Sequence, residues 1–444
     1  MGNKIYFETM GCDKNTADSS VLMGLAEQNG YQQTQNIQEA DWIVVNTCGF
    51  ILPAKEESIA AILDAIAYKE DNKKLKVLVH GCLVEKYRDE LEESIPEVDV
   101  FFGVYGLMDI IEQMKSMDGR MEQNALNHQK PVGQLPYVRK IDSKTAYMKI
   151  ADGCDTRCTY CAIPDIKGAY KSREWSELIE EAWDLAKQGV EELILVAQDT
   201  TAYGKDLIPK TSLTWLLKQL VQVSGLRWIR LLYAYPDLID EDLIKIMVAE
   251  PKICHYLDIP FQHGNDQVLR RMGRKQTVKS IYTLVTMIRN ICPDMTIRST
   301  FITGFPQETE EEFEDLLLLL SSLKLNWVGA FTYSQEEGTP AAVMKNQIDE
   351  EIKGKRYNRL MATQQSVTKD WLHDWVGETL EVLIDEITED HQASGRTRFM
   401  APDIDGVVTF LAPTSLHVGD FVRVNITDAT EYDLIGDYCD DHIQ

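Results

Sequence analysis

Strand-like apolar runs alternate with helical stretches through most of the 444-residue chain, and this alternation limits the folds that the chain can adopt. Repeated strand–helix alternation is typical of βαβ units, which build parallel sheets covered by helices. Within residues 1–117 the strand-like runs are KIYFETM, DWIVVNT, LKVLVHG and VDVFFGV. They predict an α/β N-terminal domain built on a doubly wound parallel sheet.

The alternation resumes after a polar stretch, residues 118–135, which has the composition of a linker. Residues 136–375 contain six strand candidates: AYMKI, ELILVAQ, WIRLLYA, YLDIPFQ, MTIRSTFIT and WVGAFTYS. A helical pattern follows each of the first five. This (β/α)6 succession predicts a central, open barrel of the TIM-like kind.

The character of the sequence changes in residues 377–444, where helical periodicity gives way to short alternating strands. The strand candidates are ETLEVLIDEI, GVVTFL and DFVRVNITDA, separated by turns that contain Gly and Pro. Short strands of this kind predict a small C-terminal antiparallel β-barrel of OB-like size.

Three cysteines lie close together directly after the first strand of the predicted open barrel. They are Cys154, Cys158 and Cys161, here called the barrel triad, in C-x3-C-x2-C spacing. A zinc site usually takes four protein ligands, and no fourth Cys or His lies nearby. Three thiolates suit a 4Fe-4S cluster whose fourth iron stays open to a small molecule. The spacing therefore predicts such a cluster at the carboxyl ends of the barrel strands.

Three separated cysteines, Cys12, Cys48 and Cys82, each follow a predicted strand of the N-terminal sheet and are here called the N-terminal triad. The carboxyl ends of parallel strands meet at one edge of a sheet, and each of these cysteines has a glycine beside it. The placement predicts a second open cluster. The alternative is that all three are buried structural cysteines.

Composition restricts the cellular location, the cysteine chemistry and the partners that we expect for the protein. The chain shows no secretory signal and no apolar run long enough to span a membrane, so we expect a cytoplasmic protein without a membrane partner. Nine cysteines in such a chain favour metal binding over disulfides. A formal charge of −26 disfavours bare nucleic acid and favours a basic partner.

The barrel triad, with Tyr160 before its last cysteine, is similar to the signature of the radical-SAM superfamily. The resemblance implies that S-adenosylmethionine binds the open iron with its adenine near Tyr160. It also implies that one electron, from an external donor, cleaves the cofactor to a 5′-deoxyadenosyl radical. We expect Gln198 and Arg298 either to contact the cofactor or to fill the barrel interior, and Gly304 to allow close approach of the adenine.

Longer stretches resemble the radical-SAM methylthiotransferases, namely GCDKN, VVNTCGFI, HGC and IADGCDTRCTYCAIP. The resemblance covers essentially the whole chain. It implies two 4Fe-4S clusters, one on each triad, and a C-terminal barrel of the TRAM type. In that family the N-terminal cluster carries or accepts the sulfur. Cys254, Cys292 and Cys439 match no family ligand position, and we interpret them as structural.

Two branches of that family compete as matches. One modifies an adenosine of tRNA, and the other modifies the β-carbon of an aspartate in small-subunit ribosomal protein twelve. LVAQDTTAYG, RLLYAYPD and YLDIPFQHGND resemble the second branch, although Asp13, Gly264, Asn265 and Gln307 depart from its usual residues.

The charge of the C-terminal barrel separates these branches independently of the motifs. From Gly377 onward fifteen Asp and Glu stand against three Arg, a net of −12. This charge disfavours tRNA and suits a basic ribosomal protein, unless it is only a solvated surface. A rival from another class is a non-catalytic iron–sulfur protein that docks on ribosomes or relays electrons.

Overall fold

The computed structural model describes residues 3–119, 139, 141 and 143–439. Most of the predicted linker, residues 120–135, therefore lies outside the described residues. No helix in the described ranges combines the length and the apolar character that crossing a membrane requires.

The N-terminal part is a five-stranded parallel sheet in the order β2-β1-β3-β4-β5. Its strands are β1 (Lys4–Thr9), β2 (Gln32–Gln33), β3 (Trp42–Thr47), β4 (Lys76–Gly81) and β5 (Val100–Phe102), and its helices are α1 (Asp13–Gln28), α2 (Leu52–Ala67), α3 (Cys82–Ser94) and α4 (Leu107–Met117). Trp42 and Val44 of β3 pack in one core with α1 and α4, whereas Ile43 and Val45 pack with α2 and α3 on the other face. Helices thus cover both faces, which confirms the doubly wound sheet.

The central part has six parallel strands in the order β13-β12-β11-β10-β9-β6, and its two edge strands do not pair with each other. These strands are β6 (Thr145–Lys149), β9 (Glu192–Val196), β10 (Trp228–Leu231), β11 (Ile253–Asp258), β12 (Thr296–Thr303) and β13 (Trp327–Thr332). The open α/β barrel is therefore confirmed. The YLDIPFQ candidate is displaced, because β11 begins three residues earlier and ends before Pro260, which has no N–H to donate.

Helices and one short hairpin surround this sheet. The helices are α5 (Ile163–Lys167), α6 (Trp175–Lys187), α7 (Leu213–Leu220), α8 (Glu241–Ala249), α9 (Asp266–Arg271), α10 (Val278–Ile291), α11 (Glu310–Leu323) and α12 (Glu350–His373). The hairpin pairs β7 (Ala151–Asp152) with β8 (Lys171–Ser172) in antiparallel fashion. It closes the segment that carries the barrel triad.

The C-terminal part is a closed barrel of five strands in the order β14-β15-β16-β18-β17. The strands are β14 (Thr379–Ile387), β15 (Gln392–Arg396), β16 (Val408–Leu411), β17 (Phe421–Ala429) and β18 (Leu434–Cys439). The predicted β-barrel is confirmed, with β15 and β18 added to the three predicted strands. β15 reads QASGR and lacks apolar alternation, so only its pairing with β14 and β16 makes it a strand.

The C-terminal barrel packs into the inner face of the open barrel. Side chains of β9, β10, β11 and β13 that point away from the helices share one core with β14, β16 and β17. Glu192 of β9 is fully buried there and pairs with Arg230 at 2.8 Å and with Arg396 at 2.8 Å. The interior of the open barrel is thus filled from one end, and the other end carries the cysteine loops.

Candidate active site between two cysteine triads

The barrel triad lies on a tight loop between β7 and α5. Gly153, directly before Cys154, has a φ of +72°, and an added Cβ would lie 2.2 Å from the carbonyl oxygen of Ala169. Only glycine fits this turn. The N–H of Cys154 donates to Gly168 O at 3.2 Å, and the N–H of Thr159 donates to Met272 O at 2.9 Å. The loop is therefore held on both sides before any cluster is added.

A buried cation faces this loop. Nη1 of Arg274 lies 3.8 Å from Sγ of Cys158, and Nη2 donates to Pro260 O at 2.6 Å. Burial, and then the neighbouring thiols, raise the pKa of Cys161 to about 12, and burial raises the pKa of Cys154. Free thiols here keep their protons, whereas metal ligation removes them. Arg274 lies far along the chain in MGRKQT, and no motif singles it out.

The N-terminal triad gathers at one edge of the first sheet. Cys12 precedes α1, Cys48 follows β3, and Cys82 begins α3. An added Cβ on Gly11 would lie 2.6 Å from Cβ of Cys48, and one on Gly49 would lie 2.9 Å from the carbonyl oxygen of Cys82. These contacts place the three loops side by side, as the sequence predicts.

Electrostatics also couples the three N-terminal cysteines. Burial raises the pKa of Cys82 to about 12; the charge of Lys167 opposes this rise, and the nearby Cys12 and Cys48 contribute to it. Burial likewise raises the pKa of Cys48. Cys12 and Cys82 stand at helix N-termini, where the backbone dipoles favour negative charge once the thiols are ligated.

Helix α5 separates the two triads. Ala162, the residue after Cys161, packs in one small buried cluster with Ile166, Val104 and Cys82. The segment that follows Cys161 of the barrel triad therefore packs against Cys82 of the N-terminal triad, with which it shares one buried cluster.

A buried group of four charges lies beside α5. Nζ of Lys149 is 2.5 Å from Asp18 and 2.7 Å from Asp152, and Nζ of Lys167 is 3.7 Å from Asp18 and 3.9 Å from Asp152. Burial alone would raise the pKa of Asp152, but Lys149 and Lys167 hold it at about 2. Asp18 belongs to α1 and the other three belong to the open barrel, so this buried charge cluster joins the two parts.

A second link involves Tyr233, whose φ of +59° is rare for a residue with a Cβ. Its hydroxyl donates to Asp13 at 2.8 Å, and Nζ of Lys14 lies 3.3 Å from the centre of its ring. Asp13, a departure from the family pattern, is thus the acceptor that holds the loop after Cys12 against the open barrel. No sequence pattern indicates this role for Asp13.

The remaining predicted cofactor residues have definite surroundings. Tyr160 packs edge-on against Phe305 at 6.4 Å between ring centres. Gln198 lies 3.5 Å from Asp152, two residues before Cys154. Arg298 pairs with Asp405 at 3.2 Å and with Asp258 at 3.4 Å. Its guanidinium group is therefore already paired with carboxylates of the protein.

Packing within the protein already explains why residue 304 is a glycine. An added Cβ would lie 2.3 Å from Cγ of Lys353 on α12, so the close approach at Gly304 is made by that side chain. Cofactor contact by Gln198, Arg298 and Gly304 stays a prediction.

The donor chemistry of the two triads fits iron–sulfur clusters. Each triad offers three thiols, and neither brings its three sulfurs within 4.8 Å of one another, as a single-ion site would. A multi-iron cluster holds its thiolates farther apart than one ion does, and three cysteines leave one iron without a protein ligand.

Family models match the three parts of the chain in order. The model described as uncharacterized protein family UPF0004 matches residues 4–103, the radical SAM superfamily model matches residues 148–320, and the TRAM domain model matches residues 376–438. Fold and site therefore define a radical-SAM enzyme, a class that implies a 4Fe-4S cluster and S-adenosylmethionine.

Curated relatives specify the family. Proteins named ribosomal protein uS12 methylthiotransferase RimO are 44% identical in Desulforamulus reducens and 45% identical in Desulforudis audaxviator. The alignments cover 97% of this chain in both cases, and 98% and 96% of those proteins. The relative from Clostridium botulinum is 44% identical over 98% of this chain and 97% of its own length. The chain belongs to the RimO family of radical-SAM methylthiotransferases.

Solved structures agree on the fold alone. The radical S-adenosylmethionine methyltransferase TsrM from Kitasatospora setae aligns with a TM-score of 0.58 at 15% identity, covering 77% of each chain. The cobalamin-dependent S-adenosylmethionine radical enzyme OxsB aligns with a TM-score of 0.54 at 13% identity, covering 83% of this chain and 56% of that one.

Proposed function

We propose that the protein adds a methylthio group to the β-carbon of an aspartate in ribosomal protein uS12. The observation that carries this proposal is full-length identity of 40–45% to proteins named for that activity. The two cysteine triads on either side of α5 support it, because sulfur insertion at carbon needs a radical generator and a sulfur carrier close together.

The barrel triad would hold the cluster that binds S-adenosylmethionine. When bound, that cluster supplies an open iron and one electron for reductive cleavage of the cofactor. Arg274 places a positive charge beside Cys158 and thereby favours an anionic cluster over free thiols. Tyr160, with Phe305 behind it, offers an aromatic surface to the adenine. Gln198, Arg298 and Gly304 are the further candidates for cofactor contact.

The N-terminal triad would hold a second 4Fe-4S cluster, which supplies a place for the sulfur to be methylated and carried. Lys167, only 4% exposed, lies close enough to Cys82 and Cys12 for their thiolates to favour its charged form. Tyr233 and Asp13 fix the Cys12 loop against the open barrel. These contacts would hold the loops of the N-terminal triad against the open barrel.

The C-terminal barrel would dock the protein substrate. Its net charge of −12 complements a basic ribosomal protein and repels RNA phosphates, so tRNA is disfavoured. We further propose a cytoplasmic setting, an external electron donor, and domains over residues 1–117, 136–375 and 377–444 joined by a linker at 118–135.

The direct test is mass analysis of uS12 and of total tRNA from cells that lack the gene. We expect uS12 to lose the mass of one methylthio group, and tRNA to be unchanged. Restoring the gene should restore the modification, whereas a copy with Cys154, Cys158 and Cys161 changed to Ala should not. Loss of a methylthio group from tRNA, with uS12 unchanged, would contradict the proposed substrate.

A further inference from the structure

Three potential metal ligands converge at the end of the open barrel that lies opposite the cysteine loops. His255 is near the start of β11, Cys292 caps the C-terminus of α10, and Asp294 lies in the turn before β12. Their ligand atoms all lie within 4.8 Å of one another, and no other group of three His, Cys, Asp or Glu in the described part of the chain does so.

Asp294 occupies the centre of this group. Nδ1 of His255 lies 2.8 Å from Oδ2, and Sγ of Cys292 donates to Oδ1 at 3.2 Å. One hydrogen therefore lies between His255 and Asp294, and another between Cys292 and Asp294. A divalent cation bound by the three side chains would replace both hydrogens. Loss of such hydrogens is the usual accompaniment of metal ligation by His and Cys.

The donor set and its surroundings select the kind of ion. One imidazole nitrogen, one thiolate and one carboxylate suit Zn²⁺, whereas Mg²⁺ and Ca²⁺ prefer oxygen alone. The 14-residue helix α10 ends at this point, and its C-terminal dipole favours a cation. Cys292 is buried, while the side chain of Asp294 is 69% exposed, so an ion can enter from solvent and keep a water ligand.

We propose that His255, Cys292 and Asp294 form a Zn²⁺ site with water as the fourth ligand, separate from both cysteine triads. The ion would link β11, the end of α10 and the start of β12 at the end of the open barrel opposite the cysteine loops. This site does not depend on the proposed function, because it lies away from the residues assigned to the reaction.

The first test is the metal content of the iron-loaded protein after exposure to Zn²⁺ buffered by a competing chelator. Iron and zinc are counted together by mass spectrometry of the elements. We expect about one zinc per chain with iron unchanged. The His255→Gln and Asp294→Asn variants should lose at least nine-tenths of the bound zinc. Both changes alter partly exposed side chains and should keep the fold. Cys254→Ala changes a buried cysteine beside His255 that is outside the group, and it should retain the zinc.

The second test is X-ray absorption at the zinc edge, which counts the sulfur neighbours of the ion. One sulfur with three nitrogen or oxygen neighbours is the result expected for this site. Three sulfurs would mean that zinc had entered a cysteine triad, and would overturn the proposal. Absence of zinc from the parent protein, or equal zinc in the His255→Gln variant, would overturn it as well.

Discussion

Replacing Lys149 by Met should weaken the joint between the N-terminal part and the open barrel. Of the two lysines in the buried charge cluster, Lys149 is the one that contacts both Asp18 and Asp152 at hydrogen-bond distance, 2.5 and 2.7 Å. Without it, two buried carboxylates share Lys167, whose Nζ is 3.7 and 3.9 Å away. Removing one partner of a buried ion pair costs about 3–5 kcal/mol, because the other charge stays buried and unpaired.

The assay is urea denaturation followed by circular dichroism, with iron content checked for each protein. The matched control is Lys187→Met, since the Lys187–Asp184 pair has a similar length, 2.9 Å, but side chains 71% and 58% exposed. Its loss should cost at most about 0.5 kcal/mol. Adding Asp18→Asn to Lys149→Met removes one unpaired charge, so the double variant should be more stable than the sum of the single effects by about 1 kcal/mol or more.

Equal destabilisation by Lys149→Met and Lys187→Met would refute this reasoning. Strict additivity in the double variant would refute it too, because it would mean that Lys149 and Asp18 do not interact in the folded protein.

Three further outcomes are expected. Changing the N-terminal triad to Ala should roughly halve the iron content and leave reductive cleavage of S-adenosylmethionine intact while abolishing methylthio transfer; normal transfer would return those cysteines to a structural role. Changing the exposed Glu386, Glu389 and Asp390 to Lys should weaken binding to uS12, most strongly at low salt, when affinity is measured across a salt series; unchanged affinity would remove the C-terminal barrel from docking. Burial opposes the ionisation of Glu192, but Arg396 and Arg230 outweigh it and lower its pKa below the ordinary 4.5. The stabilisation that Glu192 gives is therefore complete above that value and lost as the pH falls through the lowered pKa. Urea denaturation at a series of pH values should show a gap of about 3 kcal/mol between the parent and Glu192→Gln near neutral pH that narrows in acid, whereas a constant gap would contradict the assignment.

The sequence predicts the parallel sheets, the open barrel and the grouping of the triads because each rests on local pattern. An apolar run that ends in Gly-Cys predicts both a strand and a candidate ligand at its end, as at Gly81–Cys82. β15 could not be predicted, since QASGR becomes a strand only through its neighbours. Arg274 and Tyr233 could not be predicted either, because folding alone brings them to Cys158 and Asp13.

The acidic residues of the C-terminal barrel fall into two populations. The C-terminal sequence is acidic throughout, yet the side chain of Asp405 is fully buried and pairs with Arg298, and Glu381 pairs with Arg227 of the open barrel. Only part of the acidity therefore faces solvent, where a basic partner could meet it. Burial separates the two populations, and no sequence pattern distinguishes them.

The C-terminal barrel occupies the inner face of the open barrel, with Glu192 and Arg230 buried against Arg396. It therefore cannot be treated as a detachable recognition module. A fragment that ends near residue 375 would expose an apolar surface and unpaired charges at the centre of the radical-SAM part. Exchange of this barrel between family branches, as a route to new substrates, should succeed only when the inner-face residues of both partners are exchanged together. The C-terminal barrel and the radical-SAM part are thus inherited as one unit.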